Sequence, residues 1–194
     1  MKIKFIYQEF TNFVENITET EINIMKPTVR QLTTNDKEAF IQMNKDTFYK
    51  QMDPSFFIPF TEIEIEKDFS PEAKDILLGI FEKGQLVAVS GLLYDLSDFY
   101  ELPELQDYNF QQMAEIGGCM TSPGHRNNGY MRMINESILK TAQQQNLRYL
   151  VATAHPNNIP SNASLQRLGM KWMGHFQRHN YPRNLYFLDL EKLQ

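Results

Sequence analysis

Glu115-Ile-Gly-Gly-Cys-Met-Thr-Ser-Pro-Gly-His-Arg-Asn-Asn-Gly-Tyr-Met131 is the stretch on which the architecture of this 194-residue chain turns. Its first part, small and apolar, predicts a buried strand in which Gly117 and Gly118 leave room for a close approach to the backbone. Thr121, Ser122, Pro123 and Gly124 break that strand. Beyond them, apolar residues recur at Met131, Ile134, Ile138 and Ala142, the spacing of a helix that buries one face and runs to Gln144. A strand, a glycine-containing loop and a helix start together form a device for holding phosphate. The first helical amides lack internal partners, and the helix dipole places positive charge there. Gly129 lets the backbone come close to a ligand, and Arg126 adds a forked cationic donor. The same residues also suit an ordinary strand-to-helix turn with a solvated arginine, and shape alone does not choose between the two.

Outward from this stretch, the chain has the size of one domain, and 42% hydrophobic residues suffice for a core. A net charge of −5 argues against a generic nucleic-acid binder, which needs a basic face. The single cysteine, Cys119, excludes an internal disulfide framework and suits a reducing compartment. The first ten residues lack a signal-peptide core, and no apolar run is long enough to span a bilayer. The expectation is a soluble cytoplasmic protein without a nucleic-acid or membrane partner.

Thr28 to Leu32 reads as a strand, and Thr33 to Asp36 supply caps for a helix from Glu38 to Phe48. Phe56-Phe57-Ile58-Pro59-Phe60 reads as core packing beneath a loop, or as an apolar wall of a binding site. Asp75 to Phe81 and Leu86 to Leu93 flank a hairpin turn at Glu82-Lys83-Gly84-Gln85. The acidic run from Asp95 to Asp107 reads as a solvated loop, or as a surface that draws in a cationic amine. Leu147 to Ala154 is apolar enough for a strand covered on both faces. Pro160 and Gly169 bracket a short helix, and Lys171 to Arg178 and Leu185 to Leu190 read as a closing antiparallel pair. Residues 1–26 read as an N-terminal extension packed on a domain formed by residues 27–194.

Thr121 to Met131 resembles motif A of the GNAT superfamily of N-acetyltransferases, roughly V-x-P-x-x-[RQ]-x-x-G-x-[GA]. Pro123, Arg126 and Gly129 keep the pattern, whereas Thr121 and Met131 depart from it. Asn158 to Met170 resembles the family's motif B, in which N-x-x-[AS] precedes a short helix ending in Gly-[FM]. The two lie in the family's order and at a similar separation. The resemblance implies an α/β fold: a mixed, mostly antiparallel sheet of six or seven strands, helices on both faces, and a V-shaped cofactor cleft. It implies acetyl-CoA as co-substrate, no metal, and a small-molecule or peptide amine as acceptor, with dimers common for the fold.

Acetyl transfer to an amine sets three tasks. An amine with a lysine-like pKa of about 10.4 must lose a proton before attack. The carbonyl oxygen gains negative charge and needs donors aimed at it. The leaving thiolate sometimes takes a proton. For the second task, the resemblance implies that the strand carrying Cys119, Met120 and Thr121 splays from its neighbour and frees backbone amides for the thioester and pantetheine. Arg126, Asn127, Asn128, Gly129, Tyr130 and Met131 would hold the pyrophosphate, and Asn158 and Ser161 would touch the pantetheine or adenine side. Because Met131 is bulkier than the family's usual Gly or Ala, the contact would rest more on Arg126 to Gly129.

For the first task, Glu115 is the candidate base, since family members often place a carboxylate on this strand and burying an acid there is expensive without a role or a partner. A structural pair with an arginine such as Arg183 is the alternative. For the third, Leu165 occupies the place of motif B's usual tyrosine, which leaves a general acid unassigned among Tyr130, Tyr181 and Tyr186. A non-catalytic acyl-CoA-binding or regulatory module is the second reading of the whole chain, and an unrelated nucleotide-phosphate binder the third. His175 and His179 are four apart, but Phe176 stands where a metalloprotease motif needs glutamate, so no metal is expected. Cys119 reads as a small buried hydrophobe and Trp172 as core.

Overall fold

Lys83 and Gly84 both take positive φ, 52° and 79°, the geometry of a two-residue hairpin turn. They join strands β2 (Ile76–Glu82) and β3 (Gln85–Leu93). The computed structural model describes residues 27–50 and 53–193. The expected N-terminal extension, 1–26, lies outside them. Chain order continues with β1 (Thr28–Gln31), helix α1 (Lys37–Tyr49), α2 (Glu62–Asp68), β2, β3, β4 (Met113–Thr121), α3 (Tyr130–Gln144), β5 (Tyr149–Ala154), α4 (Ile159–Arg167), β6 (Lys171–Arg178) and β7 (Tyr181–Asp189).

The seven strands form one open sheet in the order β1-β2-β3-β4-β5-β7-β6. Every neighbouring pair is antiparallel except β4 with β5, which the α3 crossover makes parallel. That parallel ladder runs from Met113 opposite Tyr149 to Ile116 opposite Ala152 and then stops, although β4 continues to Thr121. The two strands part there, and the sheet opens into a V.

Both faces are covered, as the apolar patterns require. On one face, Ile134 and Ile138 of α3 and Leu165 of α4 pack over Leu150 and Leu188. On the other, Phe40 of α1 and Ile65 of α2 pack over Leu77, Val89 and Met120. Beyond β4 that second face is covered by a run of 3₁₀ turns (Ser97–Phe99, Pro103–Leu105, Phe110–Gln112), whose Phe99 and Leu105 seat against Val151, Leu185 and Phe187.

Three details differ from the sequence expectation. Helix α2 was not anticipated; Thr61 and Glu64 form a reciprocal capping box that starts it, with Thr61 N–H donating to Glu64 at 2.7 Å. Strand β7 begins at Tyr181 rather than Leu185, because the turn is made by His179 and Asn180, both at positive φ. Trp172 is 51% exposed and packs against His175 rather than in the core.

Candidate active site

The parting of β4 from β5 begins beside a bulge. Val89 pairs with Met120 and Gly91 with Gly117, so Ser90 of β3 faces both Gly118 and Cys119 of β4. Gly118 is the left-handed residue of that bulge, at φ 61°. A Cβ there would come within 2.8 Å of the Phe60 ring. Asn44 of α1 holds Phe60 in place, donating to its carbonyl at 2.9 Å and accepting from its amide at 3.0 Å. Helix α1 thus presses an aromatic wall onto the bulge.

Cys119 is open to solvent, yet it lies deep enough among protein atoms that desolvation pushes its thiol up to about 11, against the hydrogen bond with Ser90 at 3.2 Å. Exposure and crowding coexist on the floor of a cleft. The expected reading of Cys119 as a buried hydrophobe is corrected accordingly. A protonated thiol of this kind is a poor nucleophile.

At the mouth of the cleft, Pro123–His125 make one 3₁₀ turn, Asn127 sits at φ 65°, and Gly129 at φ 77° caps α3. Nothing lies within 4 Å of a Cβ built on Gly124 or Gly129, so the loop faces open space. Met133 N–H donates to Gly129 O, which leaves the amides of Tyr130, Met131 and Arg132 ahead of the helical ladder. Arg126, Asn127 and Asn128 are exposed, and Arg126 makes no ion pair among the described residues. The Tyr130 side chain turns away to donate to Glu82 at 2.8 Å, so only its main chain is left for a ligand. Met131 is half-buried. A phosphate fits here physically: a forked cation, free first-turn amides and a clear approach coincide.

On the far side of the V, Asn158 caps α4 by accepting from Ser161 N–H at 3.3 Å, so its carboxamide oxygen is committed and its amide remains. Behind it lies a polar network that no sequence pattern marks. Buried Asn162 donates to His155 O and Asn158 O, and accepts from Asn184 at 2.7 Å and Tyr186 at 2.8 Å. Tyr186 is thereby tied into the structure, and Leu165 is buried in the core.

The opposite face carries the charged groups. Glu115 is 3% exposed, and both its oxygens are held by Arg178, at 2.6 and 3.0 Å. Arg178 Nε also donates to Asp98 at 2.7 Å. Burial pulls the Arg178 guanidinium down, but Glu115 and Asp98 outweigh it and the net direction is up. The partner of Glu115 is therefore Arg178 and not Arg183. Asp98, within the acidic run, serves an internal pair. Phe56 lies 5.1 Å from the His155 ring, and Phe57 is core, so the apolar segment packs as the first of its two expected readings requires.

Residues 27–171 match the family described as an acetyltransferase (GNAT) domain. The chain belongs to the GNAT family. Over 62 residues it is 32% identical to YnaD of Bacillus subtilis, an uncharacterized N-acetyltransferase; the match spans 31% of this chain and only 36% of that relative's length. Its fold is shared with an N-acetyltransferase from Staphylococcus aureus Mu50 (TM-score 0.67, 18% identity, 85% of this chain and 99% of that one). It is shared equally with the ribosomal-protein-S18-alanine N-acetyltransferase of Escherichia coli (TM-score 0.65, 13% identity, 87% and 99%). A third likeness is yncA of Salmonella typhimurium, solved with its cofactor acetyl-CoA (TM-score 0.66, 12% identity, 87% and 96%). The seven-stranded open sheet of this GNAT chain is the fold these proteins share. Among the described residues, no helix is long and apolar enough to cross a membrane, and no group of three or more His, Cys, Asp or Glu is placed to hold a metal.

Proposed function

We propose that this GNAT chain is an acetyl-CoA-dependent N-acetyltransferase that passes an acyl group to a primary amine by direct attack in a ternary complex. The observation that carries this is the release of β4 from β5 after Ile116, with the open Arg126–Gly129 loop at its mouth. Acetyl-CoA, when bound, supplies an activated acyl thioester.

The chain's own contributions follow from where its groups stand. The main-chain amides of Cys119 and Thr121, which have no partner on the β5 side, orient the acyl carbonyl and stabilise the charge that develops on it, whereas the Met120 amide, like that of Ser122, turns toward β3. Arg126 to Gly129 and the first turn of α3, through Tyr130 and Met131, hold the pyrophosphate. The amide of Asn158, and Ser161, face the remaining length of the cofactor. Phe56 and Phe60 exclude water from the acceptor side. Glu115 takes the amine's proton through water: Arg178 occupies one lone pair on each carboxylate oxygen, so the proton arrives on an outer one.

Thiol release from acetyl-CoA across a panel of amines tests this reading; release that depends on an added amine is expected. Buried Leu165, which leaves motif B without a hydroxyl, favours the second reading, a non-catalytic acyl-CoA-binding module. Stabilisation by acetyl-CoA with no thiol released from any amine would establish that second reading and overturn the first.

A further inference from the structure

Arg183 is a buried cation with almost nothing to pair with. It is 3% exposed, and its one hydrogen bond among the described residues is to the Pro182 carbonyl at 3.2 Å. Its guanidinium lies 5.7 Å over the Tyr181 ring, and no carboxylate among the described residues is within 4 Å. A guanidinium has five N–H donors, so most of its bonding capacity is uncommitted, and its unpaired nitrogens keep a narrow opening to solvent through which a ligand can reach them. A buried charge without a partner is one of the most expensive features a fold can keep. Burial holds Arg183 below its ordinary value, with Arg178 adding to the effect and Tyr181 and Glu115 opposing it.

The obvious internal counter-ions are spoken for. Glu115 gives both oxygens to Arg178, and Asp98 meets Arg178 and His179. The face is also fixed. Leu185 and Phe187 of β7 pack with Met113 of β4 and Val151 of β5. Strand alternation then puts Arg183, two residues before Leu185, on the same side as Glu115, two after Met113, and Thr153, two after Val151. Arg178, which reaches Glu115, also comes within 3.5 Å of the Thr153 hydroxyl. Arg183 therefore borders the acceptor side of the V, next to the candidate base, on the sheet face away from α3.

We propose that Arg183 receives a carboxylate of the acceptor, so that the amine acetylated belongs to an amino acid or another molecule carrying its own carboxylate. This rests on the acetyltransferase reading above. A guanidinium fork matches a carboxylate in shape and charge, and the pair would complete the donors that the protein leaves unused. It also gives one member of the acidic run a different part from attracting a polyamine: Asp98 fixes Arg178.

The test is thiol release from acetyl-CoA with matched acceptors, each amino acid beside its own primary amide, for the wild type, Arg183→Lys and Arg183→Gln. Retained thermal stabilisation by acetyl-CoA shows that each variant is folded. The wild type is expected to favour the carboxylate member in kcat/KM by about tenfold to a hundredfold, the range of a charge-assisted pair. That ratio should fall towards one in Arg183→Gln and stay intermediate in Arg183→Lys. Equal use of both members by the wild type, or a preference that survives in Arg183→Gln, overturns the carboxylate assignment and leaves the acetyltransferase reading standing. Should no amine release thiol, both fall together.

Discussion

At the scale of single residues, Glu115 shows why burial and chemistry have to be weighed together. An acid in an apolar strand signals a role or a partner, and the fold supplies the partner, Arg178, from a strand with no sequence mark to link it to β4. Breaking this fork from one side strands a buried charge. Glu115→Gln is expected to destabilise the fold by ~3 kcal/mol, whereas Glu115→Gln combined with Arg178→Met recovers much of that loss. Activity separates the roles. As a base, Glu115→Gln should slow turnover strongly near neutral pH and let the rate climb as rising pH supplies free amine. A rate loss that is constant with pH would instead mark Glu115 as a positioning residue, and recovery of turnover in the stabilised double variant would remove it from proton transfer.

Among the elements, β4 and its loop were the most legible. A small-residue strand, a proline–glycine break and three-and-four apolar spacing were enough to place β4, the turn and α3, because each depends on local geometry. The bulge was not legible: Gly118 could be seen as a site of close approach, but its left-handed conformation depends on Ser90 and on Phe60, which come from elsewhere in the chain. The same applies to the Asn162, Asn184 and Tyr186 network and to Arg183, where the decisive fact is what does or does not stand opposite after folding. Helix α2 did carry a signal, Thr61 and Glu64 in capping-box spacing. Gly118→Ala provides the test at this scale. It meets a strained φ and the Phe60 ring at 2.8 Å, and it should destabilise by about 2–4 kcal/mol. Adding Phe60→Leu should return only the steric part; full recovery would show that the backbone at Gly118 is unstrained.

At the scale of the whole molecule, two carboxylates with no part in the proposed chemistry set opposing pH dependences. Asp36 hydrogen-bonds Arg30 at 2.7 and 2.8 Å, and chiefly that contact holds its carboxyl well below the usual range. Its stabilisation is complete above an unfolded value of about 3.9 and is lost as pH falls below it. Asp68 borders a cavity of about 230 Å³ shared with Asp75, and one of its oxygens is buried without a partner among the described residues. Desolvation, then Asp75, pushes it up to about 7. The folded state therefore holds a proton that the unfolded chain releases near 4, and stability drops as pH rises from about 4 to about 7. The expected loss is on the order of 2 kcal/mol, allowing for partial exposure. Melting temperatures across this window should decline in the wild type and stay level in Asp68→Asn; an equal decline in both would remove Asp68 as its source.

The proposed activity requires that the gap between β4 and β5, with the loop at its mouth, hold coenzyme A. A crystal structure of the protein grown with acetyl-CoA tests it most directly. Pantetheine is expected between the two strands beyond Ile116, with the acyl group beside Gly118 and Cys119 and the pyrophosphate on the amides from Arg126 to Met131. A gap filled by the protein's own side chains, or the ligand seated against any other part of the sheet, would contradict it.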